Sequence, residues 1–200
     1  MSKAILLSGG MDSISLAFWK KPSLAVTVDY GQLSATTEIR VSKIITEILK
    51  IEHHIIKVDC KSLGSGDLIG QGSLDISPSP EWWPFRNQLL ITFALMKIIK
   101  YPIKELLLAS VKSDGFHKDG TRDFYQKINQ VSTCQEGNIS ITAPCIDLNT
   151  IELIRLSKIP KNILFWAHSC HKSNIACGNC RGCIKYKNVM RELLNEESIT

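Results

Sequence analysis

Four cysteines near the C-terminus have the spacing of a metal site. Cys170, Cys177, Cys180 and Cys183 fall within fourteen residues, as Cys-x6-Cys-Gly-Asn-Cys-Arg-Gly-Cys. Tetrahedral zinc takes four nitrogen or sulfur ligands, with sulfur at about 2.3 Å. A C-x2-C turn folds back sharply and brings two thiolates to one ion, and Gly178 and Gly182 relieve crowding there. Four thiolates close the coordination sphere, so such a metal holds the fold rather than doing chemistry. Three other readings stand beside this one. C-x2-C-x2-C also opens the iron–sulfur run of ferredoxins, although the Cys-Pro that ends that run is missing. His168 or His171 is a substitute for Cys170 as the fourth ligand. Disulfides suit this spacing too, but a reducing compartment disfavours them.

A second constellation lies near the N-terminus, where Ser8-Gly9-Gly10-Met11-Asp12-Ser13 follows an apolar run. Two glycines let the backbone turn tightly and approach a ligand. The helix after them presents free N–H groups and a positive dipole end, and Ser8 and Ser13 add hydroxyls. That is anion-binding architecture, suited to phosphates. Neither G-x-x-x-x-G-K-[ST] nor G-x-G-x-x-G is present. The plainer reading is a helix start capped by Asp12 or Ser13.

Asp29-Tyr30-Gly31-Gln32 ends the next β-type run. An acid about twenty residues after a glycine loop meets a ribose hydroxyl in dinucleotide folds, and is otherwise a strand-end residue. Arg86-Asn87 opens a helix after Glu81-Trp82-Trp83-Pro84-Phe85. Arg86 suits a bidentate pair with phosphate or carboxylate, and the tryptophans suit stacking on a heterocycle. The competing reading is a hydrophobic plug with a surface arginine. Asp114, His117, Lys118, Asp119, Arg122 and Asp123 crowd one loop, which fits Mg²⁺, an amine, a purine edge or a solvated surface. Cys60, Cys134 and Cys145 read as small buried hydrophobes, and His53 and His54 as structural.

The elements that must position these groups alternate. Strands are expected at 4–8, 24–30, 55–58, 105–110 and 139–143. Helices are expected at 13–20, around the 41/44/45/48/49 stripe, and at 87–100, 122–132, 150–158 and 185–195. Residues 60–85 form an extended loop and 112–120 a polar one. This alternation predicts an α/β fold, a doubly wound parallel five-stranded sheet with helices on both faces. Ligands then bind beyond the carboxyl ends of the strands, after Leu7, Asp29, Asp59, Ser110 and Ala143. Residues 1–167 are expected to form the phosphate-binding domain. Residues 168–200 are expected to form a small metal motif and helix packed on it.

Composition bounds the function. The chain has 200 residues, 44% hydrophobic and 22% charged, an ordinary globular balance that excludes a disordered or collagen-like chain. No run approaches the ~18 apolar residues of a membrane helix, and the N-terminus lacks a signal-peptide core. A cytoplasmic protein without membrane contact is expected. The net charge of +5 suits an anionic ligand but is too small and dispersed to argue for nucleic acid.

Ser8–Ser13 in its strand–loop–helix setting resembles the pyrophosphate loop of the PP-loop ATPases. With Asp29–Gln32, Arg86-Asn87 and Cys177–Cys183 behind Cys170, the chain resembles the QueC family of 7-cyano-7-deazaguanine synthases over nearly its whole length. The resemblance implies ATP, Zn²⁺ and Mg²⁺ as cofactors. It implies conversion of 7-carboxy-7-deazaguanine and ammonia to the nitrile, with adenylation of the carboxylate. It places ATP on Ser8, Gly9, Gly10, Met11, Asp12, Ser13, Asp29, Tyr30, Gly31 and Gln32. Asp12, Ser13 and Arg86 become catalytic, and the deazapurine lies against Arg86, Asn87, Asp114, Asp119 and Arg122. The pattern departs from the family at 114–122, where a Gly-Tyr-Pro is missing. It departs again at Phe85, where a glycine is usual, and at Asn149 or Thr150, where a lysine is expected. Those departures leave room for a paralogue that joins a deazaguanine acid to a protein amine, as in antiphage systems, or for a nucleotide-binding module without turnover. A homodimer is left open.

Overall fold

The computed structural model describes residues 2–195. Five strands, β1 (Lys3–Leu6), β2 (Leu24–Asp29), β3 (Glu52–Lys57), β4 (Glu105–Leu107) and β5 (Ser140–Thr142), form one sheet in the order β3-β2-β1-β4-β5. Every pairing is parallel, with Ile5 opposite both Ala25 and Leu107. The helices are α1 (Met11–Lys20), α2 (Ala35–Leu49), α3 (Arg86–Ile98), α4 (Arg122–Thr133), α5 (Thr150–Ser157), α6 (Lys161–Leu164) and α7 (Arg181–Asn195). This is the doubly wound architecture that the alternation predicts.

The core divides at the sheet because successive strand residues point to opposite faces. Ile5 and Leu7 join Met11, Ile14, Val41, Ile45 and Leu153 under α1, α2 and α5. Ala4 and Leu106 join Val26, Ile91, Ala94, Ile98 and Tyr125 under α3 and α4. The first cluster also takes Val189, Met190 and Leu193 of α7, so the last helix packs on the same core as the first.

Several expectations shift in detail. α7 begins at Arg181 rather than Lys185, because Gly182 and Cys183 already lie in its first turn. α6 was not legible: four residues carry too little periodicity to register. The 60–85 segment is an ordered loop folded back on itself. It holds two single 3-10 turns, and Asp67 N donates to Pro80 O at 2.7 Å and Ser65 Oγ to Trp82 O at 2.8 Å. Cys60, Leu68 and Trp83 bury its ends in the second core cluster. Trp83 is therefore a plug, set edge-on against Tyr30 at 4.8 Å, and has no face free for a heterocycle. Cys134 corrects another expectation. It is exposed at the C-cap of α4, a helix whose buried residues are Tyr125 and Ser132, while Cys60 and Cys145 are buried as expected.

Candidate active site

The strand order reverses between β1 and β4. A cleft of about 330 Å³ opens there, over the carboxyl ends of β1, β2 and β4. Its floor is Leu6, Leu7, Thr27, Val28, Leu108 and Ala109. The ends of β3 and β5, also proposed from sequence, do not reach it.

One wall is the Ser8–Ser13 loop. Gly9 has φ +73°, and a Cβ there would meet Glu38 O and Val41 at 3.1 Å, so both conformation and space require glycine. Ser8 Oγ and Ser13 Oγ stand 3.2 Å apart, and Ser13 Oγ donates to Gly10 O at 3.0 Å. Gly10, the N-cap of α1, makes no side-chain capping bond. The first N–H groups of α1 are thereby left for a ligand, which is what a phosphate site needs. The plain N-cap reading of Asp12 and Ser13 thus does not describe this turn.

Behind this wall, Thr27 Oγ1 donates to Leu7 O at 2.7 Å, and Ser42 Oγ to the same oxygen at 3.2 Å. The Thr27 hydroxyl has spent its only proton, so His53 Nε2 is the donor in their 2.8 Å contact. Burial, with His54 and Lys43 nearby, pulls the His53 ring down to about 4. His53 is structural, as read from sequence, and it supports the loop's strand.

The facing wall is assembled from distant segments. Arg86 begins α3. Burial opposes its charge, but Tyr30, Asp119, Asp114 and Glu38 around it outweigh burial and hold it protonated. Burial pushes the Tyr30 hydroxyl up, against the hydrogen-bonded Arg86 guanidinium. Asp114 Oδ2 accepts from Val111 N at 3.0 Å, and burial raises its carboxyl against the pull of Lys185. Glu38, raised by burial, accepts from Ser34 at 2.6 Å and Gln32 at 2.8 Å.

The residues named from sequence separate into two groups. Ser8, Gly10, Met11, Asp12, Ser13, Tyr30, Arg86, Asn87 and Asp114 line the cleft. The others stand behind it. Asp29 Oδ1 accepts from Gly31 N at 3.1 Å and Gln32 binds Tyr30 N and Glu38, so this turn braces Tyr30. Asp119 Oδ2 accepts from Asn87 N at 3.2 Å while Asn87 Nδ2 donates to Asp119 O at 2.8 Å. Asp119 therefore caps α3 from behind the cleft, a service Phe85 at φ +53° cannot supply from its own side chain. Arg122 points away and pairs with Asp147 on the surface.

Lys185, Glu38 and Tyr125 also line the cleft and carried no signal in the sequence, and His168, read there only as a substitute metal ligand, lines it too. Lys185 Nζ stands 2.8 Å from Asp12 Oδ2, and His168 N donates to Gly9 O at 2.9 Å. Both come from the cysteine segment, which the spacing pattern described only as a metal motif.

In that segment the four sulfurs of Cys170, Cys177, Cys180 and Cys183 lie within 4.8 Å of one another. Cys177 and Cys183 are 3.9 Å apart, and Cys170 and Cys180 4.0 Å. Sulfurs at about 2.3 Å from one tetrahedral ion stand about 3.8 Å apart, whereas a disulfide needs about 2.05 Å. The set fits zinc, and all seven cysteines are unpaired. Backbone N–H groups aim at the sulfurs of Cys170, Cys177 and Cys180 at 3.4–3.5 Å. Those from Asn179 and Cys180 pull the Cys177 thiol down to about 6. Gly182 is obligatory, since a Cβ would strike Ser169 O at 1.8 Å. The segment also grips the cleft's surroundings. Arg181 Nη1 donates to buried Glu81 at 3.0 Å and lies over the Phe116 ring, and Asn174 ties down Thr37 at the start of α2.

The structure is a doubly wound parallel α/β fold with a glycine loop at its switch point, the place where such folds take their ligands. The family follows from the whole chain: the model for the queuosine biosynthesis protein QueC matches residues 3–194, and the chain belongs to that family. A protein of Methanococcus maripaludis named 7-cyano-7-deazaguanine synthase is 25% identical, with 96% of this chain and 95% of the relative aligned. One of the same name from Methanocaldococcus jannaschii is 27% identical, with 94% and 93% aligned. A solved structure of NMN synthetase from Francisella tularensis aligns with 86% of this chain and 68% of its own at 20% identity, with a TM-score of 0.49. Among the described residues no helix is long and apolar enough to cross a membrane.

Proposed function

We propose that the protein is an ATP-dependent ligase that converts 7-carboxy-7-deazaguanine and ammonia to 7-cyano-7-deazaguanine, the queuosine precursor. Family membership and the names of its relatives support this reading. The observation that carries it is the cleft itself, with an uncapped helix start on one wall and a protonated arginine beside a buried carboxyl on the other.

The chemistry follows from the groups available. A carboxylate is a poor electrophile until one of its oxygens becomes a leaving group, and adenylation supplies that. The Ser8–Ser13 loop holds the ATP phosphates with backbone N–H groups and the Ser8 and Ser13 hydroxyls, and Asp12 is available to Mg²⁺. Arg86 faces the substrate carboxylate and the charge developing on it. Asp114 accepts from the guanine-like edge. Ammonia then gives the amide, and a second activation removes its oxygen to leave the nitrile. The protein's share is positioning and charge stabilisation. Zinc on the four cysteines holds the segment that grips both walls. Seven unpaired thiols favour a reducing, cytoplasmic setting.

The test is a mass-spectrometric assay with ATP, ammonium and 7-carboxy-7-deazaguanine. The nitrile, AMP and pyrophosphate are expected. ADP and phosphate as products would overturn the adenylation. Adenylation without uptake of ammonia would favour a second reading, an acid joined to another amine, for which the altered 114–122 loop and the withdrawal of Asp119 and Arg122 from the cleft speak. Binding of ATP with no product at all would favour a nucleotide-binding module.

A further inference from the structure

The phosphate wall carries a charge problem. Residues 8–13 include Asp12 and no cation, so a polyphosphate seated on the loop meets a carboxylate. The positive group that faces this carboxylate comes from a remote part of the chain. Lys185, in the second turn of α7, places Nζ 2.8 Å from Asp12 Oδ2. Its side chain is 33% exposed and lines the cleft beside Ser8, Ser13 and Asp114. An ammonium has three N–H donors. The bond to Asp12 uses one and leaves two for the cleft. Arg86, the other non-histidine cation among the described lining residues, is already engaged by Tyr30 and the surrounding carboxyls.

We propose that Lys185 is a catalytic residue, the cation that receives the leaving pyrophosphate; this rests on the reading of the cleft as an ATP site. Asp12 holds Nζ in position rather than serving the phosphates alone. In the adenylation step an oxygen of the substrate carboxylate forms a bond to the α-phosphorus. The bond from that phosphorus to the α–β bridging oxygen breaks, and its electron pair leaves with pyrophosphate. Lys185 donates hydrogen bonds to the oxygen on which this charge grows, with no proton transfer required. The geometry also gives the cysteine cluster a second consequence. Cys183 and Lys185 share the start of one helix, and Gly182 seats that start against Ser169 O, so the cluster fixes where the ammonium stands.

Two variants of the full, metal-loaded chain test this. Lys185→Met keeps the apolar stem and removes the charge, and Lys185→Arg keeps the charge. Calorimetry measures β,γ-methylene ATP, which keeps the α–β bridging oxygen, and adenosine, without the carboxylate substrate and with metal content and melting temperature followed in parallel. Lys185→Met is expected to weaken the ATP analogue roughly ten- to a hundredfold, as loss of a charged hydrogen bond does. Adenosine binding, metal content and melting should be unchanged, and Lys185→Arg should recover most of the lost affinity. Undiminished binding of the analogue by Lys185→Met would overturn the proposal. Equal weakening of both ligands, with metal lost, would reduce Lys185 to an anchor for α7. A wild-type protein that binds neither ligand would instead sink the ATP reading of the cleft, a result distinct from either.

Discussion

The two walls of the cleft are built by opposite means. The Ser8–Ser13 wall is six consecutive residues whose hydrogen bonds close on themselves, from Ser8 to Ser13 and from Ser13 to Gly10. The Arg86 wall gathers Arg86, Tyr30 and Asp114 from three separate segments, with Asp119 behind them capping α3. A contiguous wall owes the shape of its turn to local backbone geometry. An assembled wall depends on whatever fixes its distant parts. Here the cysteine segment does much of that fixing, because it reaches both walls: Lys185 and His168 touch the loop, while Arg181 holds Glu81 at the end of the long loop.

The largest expected effect tests this dependence. Cys180→Ala, or removal of metal with a chelator, should lower the melting temperature by about 10 °C or more, because metal binding and local folding are one equilibrium. Both walls should fail together, seen as loss of nucleotide and substrate binding alike. Calorimetry and metal analysis check it. Metal loss that left nucleotide binding intact would break the idea that one segment holds both walls.

Ser13→Ala sharpens the contrast from the other side. It removes the hydroxyl that links Gly10 O to Ser8, within the self-contained wall. Release of AMP and pyrophosphate should fall on the order of 10²-fold, as for loss of a preorganised donor. Melting should move by less than about 3 °C, and metal content not at all. A large drop in stability would show that the loop is less independent than its hydrogen bonds indicate.

The smallest effect concerns the support beneath that loop. His53 falls from 6.5 to about 4 in the folded chain, chiefly through burial, with His54 and Lys43 adding repulsion. Between those pH values the unfolded chain binds a proton that the folded chain refuses. Stability is therefore fully present above pH 6.5 and is lost as pH falls toward 4. The ring is partly open to solvent, which limits the contribution to about 1–2 kcal/mol. His53→Gln keeps a donor for Thr27 and should flatten melting temperature against pH in this window. An unchanged pH profile would remove His53 from the account.

Particular residues show why one wall was legible and the other only in part. Ser8–Ser13 was readable because glycine pairing, hydroxyl placement and a following helix are all local. The cysteine cluster was readable because ligand spacing is local too. Asp119 and Arg122 were assigned to the substrate from their place in a loop, yet one caps α3 and the other faces solvent beside Asp147. Trp83 offered an aromatic face that the core had already taken.

The amino-acid sequence by itself determined the alternation of strands and helices, the parallel sheet, the phosphate-suited turn at Gly9-Gly10 and the four-thiolate set. Each rests on periodicities and spacings of a few residues, over which chain geometry is fixed by covalent bonds and backbone sterics. Tertiary structure decided which charges meet. Lys185 and Asp12 are far apart along the chain and 2.8 Å apart in space, and their ion pair exists because α7 shares a hydrophobic core with α1. Burial of apolar surface is non-directional and sets such juxtapositions through the packing of whole elements, so no short pattern in the sequence encodes them.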